Sequence, residues 1–189
     1  MTQQPKKRIE WLSAREISII AAIGGLELAT VLLGLVIPVG PGGWSVWALE
    51  GLTILPALAT GPVGGFIAYV IPGIVRPVAV ANIMVSGNMI LIGAGYWPMR
   101  KWKTWKKILG VALISFPVWT LYQGYFTVWF MAYYYHFITV EAFWPTFWYL
   151  QFAFNIPEWI YGVVCAAITF TLFPRFIQPD WLDRWRGRI

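Results

Sequence analysis

Four ionisable side chains stand within or at the edge of long apolar stretches: Glu27, Glu50, Arg76 and Glu158. A charge in hydrocarbon is expensive, so such residues face a bundle interior or a wet cavity and mark a ligand or ion site. Their plain structural alternatives are an internal ion pair or a carboxylate reaching the headgroups. Glu27 lies about 16 Å of helix beyond Glu16, too deep to reach out easily. Glu50 follows Trp47 by three residues, so reaching out is open to it. Polar stripes accompany these residues: Asn82 with Ser86, Met89 and Gly93; Trp119 with Gln123, Thr127 and Phe130; and Glu158 with Gly162, Cys165 and Thr169. Each stripe reads as interhelical hydrogen bonding. Converging, they also read as one small-molecule pocket with apolar walls and few polar contacts.

Other chemistries are poorly served. A single histidine, His136, excludes a multi-histidine metal site and a heme held by a histidine pair within the chain. The lone Cys165 offers neither an internal disulfide nor a zinc spacing. No Walker-type phosphate loop is present, and the glycines of GPVGG at 61–65 follow a membrane helix rather than a strand. No nucleophile–base pair can be assembled. The chain reads as a non-enzyme that carries no cofactor.

The elements that must position these residues are membrane helices. Of 189 residues, 59% are hydrophobic and 12% charged, about half the charge of a soluble domain. Thirteen Trp and nine Tyr suit bilayer interfaces. The net charge of +6 is clustered. Lys6, Lys7, Arg8 and Arg15 come first, then Arg100, Lys101, Lys103, Lys106 and Lys107, and finally Arg175, Arg184, Arg186 and Arg188. Basic clusters beside apolar runs follow the positive-inside rule and are expected in the cytoplasm, which argues against nucleic acid as partner. The first apolar run is too long for a signal peptide and lacks a small-residue exit site.

Spans are expected at 16–37, 47–60, 63–75, 79–97, 108–133 and 157–173. If Gly61-Pro62 is a turn, four spans separate the first two basic clusters and two more return the third. The fold class is an all-α membrane protein, a six-helix transmembrane bundle with both termini cytoplasmic, in one domain over 1–189 of a cell membrane. The loops at 38–46, Arg76-Pro77 and 134–156 then face outward. The last is an amphipathic aromatic segment around His136 and Glu141, readable as an interfacial belt or as a lid over a pocket. The tails 1–13 and 178–189 are polar and amphipathic, suited to the membrane surface.

Helix one carries a second pattern. Ser18, Ala22, Gly25 and Ala29 fall within roughly 60° of one another, with Glu27 about 180° from Ser18. A stripe of small residues lets another helix approach closely, in a partner or within the chain.

These features together resemble the substrate-binding S components of energy-coupling factor (ECF) vitamin transporters. The segment LPALATGPVGGF at 55–66 is similar to that family's L-x-G-P-x-x-G turn between helices two and three. Asn155-Ile156-Pro157-Glu158 resembles its N-x-P start of helix six. The family's Ala-x-x-x-Ala on helix one appears with glycine, as Ala21-x-x-x-Gly25 and Gly25-x-x-x-Ala29. The resemblance implies a high-affinity receptor that binds a vitamin-like small molecule from outside. It also implies a coupling transmembrane subunit and two ATPase subunits as partners, docking on Ser18, Ala21, Ala22, Gly25 and Ala29. Substrate-binding positions are then Trp44, Trp47, Glu50, Arg76, Asn82, Gln123, His136, Trp144, Asn155 and Glu158. Aromatic rings with carboxylates suit a flat cationic ring, thiamine-like or a pyrimidine. The alternative is an accessory or structural subunit of a larger membrane complex, its aromatic segment a protein or lipid interface and its carboxylates internally paired.

Overall fold

The structure, a computed structural model, describes residues 12–38, 45–76 and 79–177. Trp44, Pro77, the glycine-rich turn at 39–43 and the tails at 1–11 and 178–189, with the arginines at 184, 186 and 188, lie outside these residues. Five helical stretches account for most of the rest: α1 (Ala14–Leu32), α2 (Glu50–Gly73), α3 (Ala79–Met99), α4 (Thr104–Tyr134) and α5 (Phe143–Leu172). Between α1 and α2, the short strands β1 (Val36–Pro38) and β2 (Ser45–Trp47) pair antiparallel, with Val36 opposite Trp47.

By length and composition alone, α2 to α5 are each long and apolar enough to cross a membrane, although α2 is folded back on itself at Gly61. Large apolar side chains such as Leu32, Leu113, Leu121, Phe152 and Leu172 point outward, whereas Glu27, Glu50, Gln123 and Glu158 are buried. That is the reverse of a soluble protein, and it is the arrangement of a membrane protein, whose lipid-facing surface is apolar.

Local chemistry sets the ends of α1. The Ser13 hydroxyl accepts from the Glu16 amide at 3.3 Å, and the Glu16 carboxylate accepts from the Ser13 amide at 2.7 Å, a reciprocal capping box. At the other end Gly34 adopts φ +64°. Leu35 N–H reaches Thr30 O and Gly34 N–H reaches Val31 O, the two bonds of a Schellman cap. Helix one therefore stops at Leu32 rather than at 37, and residues 36–37 join the hairpin.

Helix α2 is not straight. Gly61 has φ +80° and ψ −170°, a conformation open essentially to glycine alone. A Cβ built on Gly65 would lie 2.6 Å from Ala57 Cα. In an unbroken helix those residues stand about 12 Å apart. The chain folds back at Gly61, and the two limbs press together where Gly65 has no side chain. The expected turn at Gly61-Pro62 is present as this reversal. Gly93 of α3 packs on Gly61 and Pro62, about 21 Å along α3 from Ala79.

The largest departure from the sequence reading lies after α4. Where it expects an outer loop over 134–156, helix α4 runs to Tyr134 and α5 begins at Phe143, so the connection is only 135–142. Two prolines lie in this stretch and are compatible with the helix. Pro145 sits in the first turn of α5, where no amide is needed, and is harmless there. Pro157 follows a widened, π-type turn at Gln151–Asn155 that accommodates the carbonyl its ring would otherwise strike. Asn155-Ile156-Pro157 thus lies inside a helix instead of opening one. At its N-terminus α4 starts at Thr104, not 108, because the lysine-rich turn is also helical.

Candidate functional site: a buried polar cluster

Two hydrogen-bonded groups occupy the interior. In the first, Arg76 grips Glu50 bidentately, Nη1 to Oε1 at 3.0 Å and Nη2 to Oε2 at 2.7 Å. The Tyr69 hydroxyl donates to Glu50 Oε1 at 2.8 Å. The reversal at Gly61 makes this possible, since it returns Tyr69 and Arg76 to the level of Glu50. In the second, Glu158 accepts from Trp119 Nε1 at 2.6 Å and from Gln123 Nε2 at 2.9 Å. Asn88 Nδ2 donates in turn to Gln123 Oε1 at 2.8 Å. Trp119 and Gln123 belong to a widened π-type turn at Val118–Gln123, a backbone form that recurs at functional sites.

The two groups are neighbours. Gly51, one residue after Glu50, lies against the Tyr161 ring of α5, and Gly162 beside it lies against Trp119. Tyr161 donates to Ala48 O at 2.8 Å and ties the segment before α2 to the same helix. Glu27 of α1, with 1% of its surface exposed, interacts electrostatically with Glu50, Arg76 and Glu158. Neither of its carboxylate oxygens has a hydrogen-bond partner among the described residues. Asn88 Oδ1 and Gln151 Nε2 are likewise buried and unpartnered. Three carboxylates against one guanidinium leave two negative charges in excess when all are ionised. In a low-dielectric interior that excess is strongly unfavourable unless a cation or proton offsets it.

The sequence-predicted positions divide. Glu50, Arg76, Gln123, Asn155 and Glu158 are buried in or beside the cluster. Asn155 donates to Gln151 Oε1 at 3.2 Å, and the pair packs against Gly124 of α4. Asn82 is half-buried on α3, its Cβ 3.4 Å from the Cβ position of Gly73. His136, at φ +55° in the 135–142 connection, and Trp144, 57% exposed, face outward and stand apart from the cluster. Glu141, in the same connection, accepts from its own amide and from the Thr139 hydroxyl, which holds its carboxyl below the usual range. Trp47 contributes its backbone to β2.

Sequence reading missed Tyr69 and Trp119 as partners of the carboxylates, and Asn88 as the partner of Gln123. Tyr69 and Asn88 sit in apolar surroundings with no motif. Trp119 was legible as a stripe neighbour of Gln123, four residues away on one helix face. The docking residues Ser18, Ala21, Ala22, Gly25 and Ala29 are all exposed on the outer face of α1, and a Cβ at Gly25 would meet nothing within 4 Å. Gly24 beside it is the inward glycine, close to Ala68 and Ile71 of α2.

Comparison with family models, with curated proteins and with solved structures finds no match to this chain.

Proposed function

We propose that the chain is the substrate-binding subunit of an ECF-type importer, which captures a cationic, vitamin-like micronutrient from outside the cell for uptake driven by partner ATPase subunits. The observation that carries this reading is the buried cluster: three carboxylates share one arginine, and Glu27, Asn88 and Gln151 present polar atoms that nothing in the described chain satisfies. A bound cation with hydrogen-bonding groups would offset the charge and occupy those atoms.

The fold-back of α2 supports the topology in this proposal. Its two limbs return the chain to the side from which it entered, so the Arg100–Lys107 cluster, the start of α1 and the end of α5 fall on one face in this proposal. Counting the limbs separately gives the six helices of the S-component plan, both termini cytoplasmic in the cell membrane. The exposed small-residue face of α1 supports a coupling transmembrane subunit as partner, because it lies outside the bundle and is already free of bulk.

The second reading, a structural subunit of a larger complex, draws on the Glu50–Arg76 pair, which is complete without a ligand. Thermal-shift screening of the detergent-purified chain against B vitamins separates the two. A receptor is stabilised by a cationic ring compound on its own. A scaffold responds to none of them.

A further inference from the structure

A cavity of about 670 Å³ opens at the N-terminal end of α4, lined by none of the residues of the carboxylate cluster. Three lysines line it, Lys101, Lys103 and Lys106, all exposed, together with Trp105, Leu109 and Leu113. No acidic residue among the described residues lines it. Lys106, Leu109 and Leu113 recur at three and four residues and so share a helix face. From Lys106 to Leu113 that face runs about 10 Å along the helix. Lys106 Nζ stands 5.5 Å from the Trp105 ring centre, at the junction of the charged and apolar parts.

Along the chain the lysines and the Trp105 indole come first, at 101–106, and the leucines follow at 109 and 113, so a charged, aromatic end passes into an apolar one as a lipid passes from headgroup to acyl chain. Lysines beside a membrane helix attract anionic headgroups, and an indole favours the interfacial layer. Both leucines are exposed, as an acyl-chain contact requires. A free inorganic anion would use the lysines but leave the leucines without a role. We infer that this cavity is a binding site for one anionic phospholipid, its headgroup phosphate held by Lys101, Lys103 and Lys106 and an acyl chain laid along Leu109 and Leu113.

Native mass spectrometry of the full chain in detergent tests this, with phosphatidylglycerol, phosphatidylcholine of the same acyl chains, and inorganic phosphate added separately and in competition. Phosphatidylglycerol should be retained about tenfold better than phosphatidylcholine, and Lys101→Gln/Lys103→Gln/Lys106→Gln should lower its retention about tenfold or more. The corresponding Lys→Arg variant should retain it. Leu109→Ser/Leu113→Ser should weaken phosphatidylglycerol without changing any phosphate adduct. Equal retention of the two lipids, or an unaltered glutamine variant, overturns the inference. So does full displacement by inorganic phosphate with a neutral leucine variant, which makes the cavity a simple anion site. Loss of a co-purifying protein with lipid retention unchanged makes it a protein contact and overturns it equally.

Discussion

The Tyr69 hydroxyl donates to Glu50 Oε1 across 2.8 Å, although nineteen positions of one helical stretch separate the two residues. An unbroken helix would hold them about 28 Å apart. The contact exists because Gly61 turns the chain back, and the same turn delivers Arg76 to Glu50. One backbone conformation thus assembles half of the buried cluster.

Gly61→Ala should destabilise the protein by about 1–3 kcal/mol, because φ +80° with ψ −170° is closed to alanine. A lowered midpoint in a detergent thermal melt is the expected result. Gly65→Leu should do at least as much harm, by forcing the limbs apart where Gly65 meets Ala57.

Arg76→Met should cost about 3–5 kcal/mol of stability, since it strands the Glu50 carboxylate in the interior. Arg76→Met with Glu50→Leu should recover much of that loss, because an ion pair replaced whole by apolar groups leaves no buried charge. Both variants are compared by thermal melting. A double variant as unstable as the single one would show that Glu50 does more than hold Arg76.

The sequence made the membrane class, the basic clusters, the break at Gly61 and four buried carboxyl or guanidinium groups legible, because charge and glycine are costly in hydrocarbon helices and stand out there. It did not show where α5 starts. Pro145 and Pro157 are helix breakers by type, and only the first-turn position of one and the widened turn before the other make them compatible with a helix. It also placed His136 and Trp144 among the binding residues on their chemistry, whereas their direction depends on the turn at 135–142. Trp144→Ala is accordingly expected to leave ligand affinity within about 0.5 kcal/mol of the parent, as an outward surface change. Trp119→Phe removes a donor from Glu158 and should be felt in both affinity and stability, by about 1.5–3 kcal/mol.

Gly25→Leu with Ala29→Leu should leave folding and ligand affinity intact, since both positions face outward and the Gly25 Cβ position is open. If the proposed docking on this face holds, co-purification of a coupling subunit should fall sharply. A pull-down read beside a melting curve checks both halves. A destabilised variant would mean that the stripe packs within the chain.

Cysteine labelling in a Cys165→Ser background addresses topology. A probe at Lys103 should react from the cytoplasm only, and one at Val63, exposed just past the reversal, should not react from outside the cell.

The claim that the buried carboxylates hold a cationic substrate is met most directly by titration calorimetry of the purified chain with a thiamine-like ligand, run in parallel on Glu158→Gln at matched folding. The parent should bind without any partner subunit, and the variant should bind about 10- to 150-fold more weakly, the worth of a charged hydrogen bond of about 1.5–3 kcal/mol. No heat of binding from the parent with any cationic ring compound, or equal affinity in parent and variant, would contradict it.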